Sequence, residues 1–307
     1  MKKVVVLAYG TSGEKEVSMQ TGQGAFQALL KKGYDAHLVK VTEDVATLVQ
    51  TLQQIKPDVV FNALHGRFGE DGNIQGLLNL MGIPYTHSGV LASAIGMDKH
   101  YSKILFSTAG IPVAPEKIIT LSDLKAGNSL PYPYVIKPIN EGSALGVHII
   151  ENAQQEQNLI DTWPFAGAKV MMEAYIPGRE MTVSVLDGKA LGVTEIRPHS
   201  GFYNYENKYM DNKTDHIVPA PIPVEQADLM KLYAEKAHRI LGCRGASRTD
   251  FRYDDISNPN QVHIVALEIN TQPGMTKLSL LPESAKYAGI SYEDLVSLLV
   301  EEATCEK

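Results

Sequence analysis

Short apolar runs alternate with longer stretches of helical rhythm over the first third of the chain. Val4 to Ala8 reads as a buried strand, and the Gly-rich turn behind it opens a helix from about Val17 to Lys32 that Gly33 stops. Ala36 to Lys40 is a second strand. A helix from about Asp44 to Ile55 ends before Pro57, and Val59 to Ala63 is a third strand. This β-α-β-α-β series predicts a parallel sheet covered by helices, whose ligands collect beyond the carboxyl ends of the strands. Two polar loops fall there, Gly10 to Ser18 and His65 to Gly72.

After Ile83-Pro84-Tyr85 the rhythm changes, which puts a first boundary near residue 90. Two short helices are expected, from about Leu91 to Ile95 and from Lys99 to Ala109, the second with Asp98 as N-cap and Gly110 as C-cap. A small α+β unit follows, with strands at Tyr134 to Lys137, Val147 to Ile150 and Val170 to Glu173 and a helix from about Ala153 to Trp163. The last segment begins with a hairpin through Asp187-Gly188, carries a helix from Val224 to Leu241 and a second hairpin, and closes with a helix from about Tyr292 to Ala303. The expected division is an N-terminal α/β substrate-binding domain over 1–89, a central subdomain over 90–180 and a C-terminal subdomain over 181–307. Between Ile196 and Val218 no periodicity is visible. A loop longer than about 15 residues is usually a functional lid or disordered, and Tyr203, Tyr205 and Tyr209 favour the lid.

The second hairpin carries the candidate chemistry. Val262 to Ile269 is an apolar run rich in Val and Ile that ends against Pro273-Gly274, so it reads as a buried strand. Glu268 and Asn270 are two apart on it and share a face. Ala246 to Phe251 is the partner strand, with Arg248 and Asp250 at the same spacing, and the turn around Asn258-Pro259-Asn260 suits an antiparallel pair. Pairing the two gathers Asp250, Glu268 and Asn270 into one set of hard oxygen donors, which fits Mg²⁺ with phosphate and water as its other ligands. Two strands whose acids face solvent are the competing explanation; the cost of an unpaired carboxylate in an apolar run weighs against it.

Composition changes the picture by exclusion. A chain of 307 residues, 44% hydrophobic and 21% charged, has material for two or three compact units and little room for disorder. A net charge of -7 and a pI near 5.7 argue against nucleic acid as the main partner. Cys243 and Cys305 form neither a CxxC pair nor a disulfide framework, as expected of a reducing cytoplasm. The apolar run behind Met1-Lys2-Lys3 is too short for a signal peptide. No stretch approaches the about 20 apolar residues that cross a bilayer, so a cytoplasmic protein with no membrane partner is expected.

Glu141-Gly142-Ser143-Ala144-Leu145-Gly146 offers small residues whose amides can cradle a phosphate, and Lys137-Pro138 adds a point charge at a strand end. Gly-Ser turns and a solvated lysine explain the same residues without a ligand. Neither a Walker pattern nor GxGxxG occurs, so neither the P-loop nor the dinucleotide fold is expected. His65 and Glu14 stand out by their place beyond strand ends.

Taken together, Leu64-His65-Gly66 with Gly69-Glu70-Asp71-Gly72 and Gln75-Gly76, Met97-Asp98-Lys99, Lys137-Pro138, Glu141-Gly142-Ser143, Tyr203 to Tyr209, Arg248-Thr-Asp250 and Glu268-Ile-Asn270-Thr-Gln-Pro-Gly274-Met-Thr closely resemble the D-alanine:D-alanine ligases of the ATP-grasp superfamily. The motifs occur in order and span nearly the whole chain. The resemblance implies an N-terminal parallel α/β domain followed by two α+β subdomains that clamp ATP, and a homodimer. It makes Asp250, Glu268 and Asn270 the ligands of two Mg²⁺ ions, with Mn²⁺ as a possible substitute. Lys99, Lys137, Ser143 and Lys208 would hold ATP, with Glu173 and Glu180 around the adenine and ribose. Glu14 would take the ammonium of the first D-alanine, with His65 beside it; Arg248, Gly274, Ser279 and Leu280 would handle the second amino acid and the developing oxyanion. Glu14, Ser143 and Tyr209 would form the hydrogen-bonded link that closes the loop.

The activity implied is phosphoryl transfer from ATP to the first D-alanine carboxylate, then attack by the second D-alanine's amine to give D-alanyl-D-alanine for peptidoglycan precursors. The chain departs from the family pattern at Ala144, where a second serine is usual, at Tyr9, which replaces the first glycine of a Gly-Gly pair, and at Lys15, a common arginine. A depsipeptide ligase making D-alanyl-D-lactate is the nearest alternative, which Tyr209 disfavours. A catalytically impaired nucleotide-binding homologue is the other, which Ala144 and Tyr9 raise and the intact metal ligands oppose.

Overall fold

The computed structural model describes residues 1–142, 146–165, 169–199, 213–258 and 261–306. Ser143, Ala144, Tyr203, Tyr205, Lys208, Tyr209 and the tip of the expected turn at 259–260 lie outside the described residues.

β1 (Lys3–Tyr9) is the middle strand of a three-stranded parallel sheet, with β2 (Asp35–Val41) on one side and β3 (Val59–Asn62) on the other. The crossovers are α1 (Lys15–Lys31) and α2 (Val45–Ile55). Val4 to Ala8 are fully buried because both faces of the sheet are covered, which is why this strand reads as an unbroken apolar run. Val4 and Val6 pack with Ala25, Ala28 and Leu29 of α1, whereas Val5 and Leu7 pack with Leu48 and Leu52 of α2. A Cβ at Gly22 of α1 would collide with that of Ala8, so this glycine sets how closely helix and strand approach.

α3 (Asn73–Met81) is an addition to the expected elements, started by Gly72 at φ +95° and buried through Ile74, Gln75 and Leu78. α4 (Val90–Met97) and α5 (Lys99–Thr108) follow, with the Asp98 carboxylate accepting from the His100 and Tyr101 amides as the expected cap.

A four-stranded antiparallel sheet has the order β4 (Glu116–Ile119), β7 (Val170–Ala174), β5 (Tyr134–Pro138), β6 (His148–Ile150). α6 (Leu121–Lys125), opened by a Thr120–Asp123 capping box, and α7 (Ala153–Thr162) complete this lobe. β4 and α6 are further additions to the expected set.

The largest sheet is antiparallel and five-stranded, in the order β10 (Thr214–Ile217), β9 (Lys189–Pro198), β8 (Arg179–Leu186), β11 (Ala246–Asp254), β12 (His263–Asn270). Asp187 and Gly188 both take positive φ in the expected hairpin turn. α8 (Val224–Leu241) covers this sheet together with Phe106 of α5. α9 (Leu280–Tyr287), not expected from the sequence, and α10 (Tyr292–Glu301) pack back onto the first sheet: Leu281, Leu295, Val296 and Leu299 share a core with Val4, Val6 and Phe61. Among the described residues no helix is long and apolar enough to cross a membrane.

Candidate functional site

The register of β11 and β12 builds the site. Asp250 lies opposite Glu268 and Arg248 opposite Asn270, so all four side chains project from one face of the sheet. The arrangement brings together the three oxygen donors expected from the sequence. In the described structure they are engaged with one another's neighbours. Arg248 donates from Nε and Nη2 to both oxygens of Asp250, each at 2.8 Å, and Thr182 Oγ1 donates to Asp250 Oδ1 at 2.6 Å. Lys99 Nζ lies 3.0 Å from Glu268 Oε2 and donates to the Glu141 carbonyl at 2.5 Å. Asn270 Oδ1 accepts from the Gln272 amide at 2.8 Å and keeps a second lone pair.

Two carboxylates and an amide oxygen facing one way suit a hard divalent cation. Among the described residues no three His, Cys, Asp or Glu side chains gather as a metal centre.

Two cavities meet at this face. The first is lined by Glu14, His65, Glu70, Lys99, Arg248, Glu268, Asn270, Gly274, Ser279 and Leu280, among others. Nine of these ten are candidates from the sequence; Glu70 is the addition. The second is lined by Lys99, Lys137, Glu173, Glu180, Asp250 and Glu268 together with the apolar Val135, Ile149, Ile176 and Leu267. Lys99, Glu141 and Glu268 belong to both, so the cavities join at one charged point.

In the first cavity His65 and Glu70 form a buried couple. His65 Nδ1 lies 2.9 Å from Glu70 Oε1, its Nε2 is 3.0 Å from Thr21 Oγ1, and Glu70 Oε2 accepts from the Gly66 amide at 3.0 Å. Burial opposes charge on the His65 ring, but the Glu70 hydrogen bond, its charge and that of Glu14 outweigh it and hold the ring above the ordinary histidine range. Burial pushes the Glu70 carboxyl up, against the pull of His65. Gly274 approaches Ser279 so closely that a Cβ there would lie 2.9 Å from Ser279 Oγ, and that hydroxyl accepts from the Thr276 amide at 2.9 Å. These contacts fix the loop that carries Ser279 and Leu280. Tyr9 sits at φ +81°, which accounts for the glycine usual in the resembled pattern, and its ring lies under Lys40 Nζ at 3.7 Å.

In the second cavity two lysines engage Glu173. Only 3% exposed, it accepts from Lys137 Nζ at 2.8 Å through one oxygen and from Lys103 through the other. Burial works against both charges of the Lys137–Glu173 pair, yet each partner outweighs it, holding the lysine above its usual value and the carboxyl below. Glu180 lies 3.8 Å from Arg252, whose guanidinium also donates to the Ile176 and Gly178 carbonyls at 3.0 and 2.6 Å and fixes the cavity wall.

Lys103 and Gln272 escaped the sequence reading along with Glu70. Lys103 carried a usable signal, since it lies four residues after Lys99 on one helix and so shares its face. Gln272 carried none. Buried, it accepts from Asn62 Nδ2 at 2.7 Å and donates to the Leu64 carbonyl, tying the His65 loop to the end of β12.

Comparison with known proteins adds a second line. A family model described as D-ala D-ala ligase C-terminus matches residues 105–301, and one described as D-ala D-ala ligase N-terminus matches residues 44–88. The chain is 50% identical over 306 residues to the D-alanine–D-alanine ligase of Paramagnetospirillum magneticum, covering 99% of each. It is 49% identical over 308 residues to that of Agrobacterium fabrum, covering 99% of this chain and 98% of the relative. Among solved structures, the D-alanine–D-alanine ligase from Bacillus anthracis superposes with a TM-score of 0.84 at 32% identity, covering 98% of this chain and 97% of that one. The same enzyme complexed with ATP gives 0.81 at 31%, covering 98% and 96%. The VanG D-Ala:D-Ser ligase from Enterococcus faecalis gives 0.80 at 29%, covering 98% of each chain.

Proposed function

This chain belongs to the D-alanine–D-alanine ligase family of ATP-grasp enzymes, and from that premise we propose how its residues divide the reaction. It joins two D-alanines with ATP. The observation that carries the residue assignment is the junction of the two cavities at Lys99, Glu141 and Glu268, which lets a nucleotide in one present its terminal phosphate to an amino acid in the other.

ATP occupies the cavity lined by Lys137, Glu173 and Glu180, with its base against Ile149, Ile176 and Leu267 and its phosphates towards Lys137 and Lys99. Ser143 and Lys208, which lie outside the described residues, would add to its binding on the family resemblance. Asp250, Glu268 and Asn270 would hold Mg²⁺, which would supply neutralisation of phosphate charge. Arg248 lies on Asp250 and Lys99 on Glu268, so both cations stand at the junction where the phosphate and the amino acid would meet.

Glu14 takes the ammonium of the first D-alanine, with His65 alongside. The γ-phosphoryl group passes to its carboxylate, giving D-alanyl phosphate and ADP. The second D-alanine, held by Ser279 and Leu280, then attacks through its uncharged amine. The C–N bond forms, the bond to phosphate breaks, and the amine proton leaves. Arg248 and the Gly274 amide stabilise the oxyanion between these events. The Glu14–Ser143–Tyr209 link closes the loop over the acyl phosphate and excludes water. In this reading segments 1–89, 90–180 and 181–307 supply the amino-acid, nucleotide and metal-bearing parts. The enzyme works as a cytoplasmic homodimer, feeding peptidoglycan synthesis.

Coupled ADP release measured over D- and L-amino acids and D-lactate near neutral pH tests the assignment. ADP release that requires D-alanine, with D-alanyl-D-alanine as product, is the expected result. Turnover with L-alanine, or preferential incorporation of D-lactate, would defeat it.

A further inference from the structure

Lys103 is a buried cation that neither cavity uses. It is 1% exposed, lines neither cavity, and ends on the Glu173 oxygen that faces away from Lys137. Its ammonium also lies 3.4 Å from Glu116 Oε2 and 3.5 Å from the Ala114 carbonyl, while Glu116 Oε1 is 2.6 Å from His100 Nδ1. The row Lys137, Glu173, Lys103, Glu116 thus alternates in sign from the cavity wall into the protein, with the His100 ring at its far end. Two lysines share the Glu173 carboxylate, so neither is fully neutralised by it. Lys137 is the cation of this row that lines the cavity.

Resting on the reading of that cavity as the nucleotide site, we infer that Lys103 is a positioning residue for ATP, which keeps the second Glu173 oxygen from Lys137 so that the Lys137 ammonium retains donors and its aim for a phosphate. Without Lys103, both Glu173 oxygens are available to Lys137. The pair closes on itself as a neutral unit, and the phosphates meet a weaker and misdirected charge. Glu116 acts in the opposite sense, because it draws Lys103 away from Glu173.

The test compares wild-type, Lys103→Met, Lys103→Arg and Glu116→Gln enzymes by ADP release, by calorimetry with a non-hydrolysable ATP analogue and Mg²⁺, and by thermal unfolding. Lys103→Met is expected to raise the ATP KM by about tenfold while the D-alanine KM moves by less than about twofold. Lys103→Arg, which keeps the charge, restores the ATP KM to within about threefold of wild type. Glu116→Gln leaves the ATP KM unchanged or lowers it.

A Lys103→Met enzyme with lowered thermal stability but a wild-type ATP KM overturns the inference, since a purely structural lysine behaves that way. A Glu116→Gln enzyme whose ATP KM rises like that of Lys103→Met overturns it too. Should Lys103→Met not fold, the arginine and Glu116 variants decide by the same signs. Failure of the wild-type enzyme to bind the analogue at all rejects the nucleotide site itself, which separates that failure from a fault in the role of Lys103.

Discussion

Arg248 carries two demands at once. Its fork satisfies both oxygens of Asp250, and it lines the first cavity, where the proposed reaction would develop an oxyanion. Removing one such donor costs about 10² to 10³ in rate, so Arg248→Ala should lose that much in kcat; activity within tenfold of wild type rejects the role. Arg248→Lys should recover little, because a point charge cannot make the paired contacts. A second residue bears on pH. His87 is buried at φ +67°, and burial first, then the charge of His65, pushes its ring down to about 3. The folded pKa is below that of the unfolded chain, so stability is intact above about pH 6.5 and falls as pH drops towards 3, by about 1.4 kcal/mol per pH unit for one proton. His238, lowered to about 4 by burial, adds in the same direction. His87→Asn, which tolerates left-handed φ, should flatten the slope of urea-unfolding stability between pH 6 and 4.5 by about one proton; an unchanged slope contradicts the assignment. Asp250, Glu268 and Asn270 were legible because strand spacing puts them on one face, whereas the roles of Glu14, Ser279, Leu280 and the nucleotide-side residues came from the family resemblance. The helical spacing from Lys99 places Lys103 on the same face but does not show its burial, and nothing local announces the burial of Gln272.

Elements were readable in proportion to how much apolar surface each hides. β1 and β12 are apolar over most of their length, the Asp187-Gly188 turn states its own geometry, and the long α1 and α8 repeat their pattern several times. The additions are short: α6 has five residues, β4 and β10 four each, α9 eight and α3 nine, and β10 with the end of β9 occupies the margins of the stretch expected as a loop between Ile196 and Val218. A period of 3.6 cannot be established over two turns that include Gly76 or Pro282. Contacts between elements were invisible for a related reason. Gln272 joins the end of β12 to the loop after β3 across some 208 residues of chain, through partners that look ordinary locally. Gln272→Leu leaves the Leu64 carbonyl without this donor and Asn62 without this acceptor, which should cost about 1 to 3 kcal/mol for each buried group that stays unpaired. Because the same strut holds the His65 loop, the KM for D-alanine should rise with ATP KM little changed. Equal changes in both constants would argue against a local role.

At the scale of the whole chain, the cores show which parts can move separately. One cluster, from Ile119 to Met172, draws only on the middle sheet and its two helices, and closes on itself. The core of the first sheet does not, because Val4, Val6 and Phe61 depend on Leu281, Leu295, Val296 and Leu299 from the far end of the chain. The Tyr85 amide donates to the Thr304 carbonyl at 3.2 Å, fastening the same two ends. Opening the amino-acid cavity by parting the first sheet from α10 would therefore expose a shared core, whereas the lobe bearing Lys137 and Glu173 can tilt with its own core intact. Leu295→Ala and Leu159→Ala test this difference, each removing a buried side chain at a cost of about 2 to 5 kcal/mol. Hydrogen exchange should quicken in β1 and β3 as well as α10 for the first variant, and stay within residues 116–174 for the second. If Leu159→Ala speeds exchange in β1 as much as Leu295→Ala does, the lobes unfold as one unit. Nucleotide entry would then require a motion other than tilting of the middle lobe.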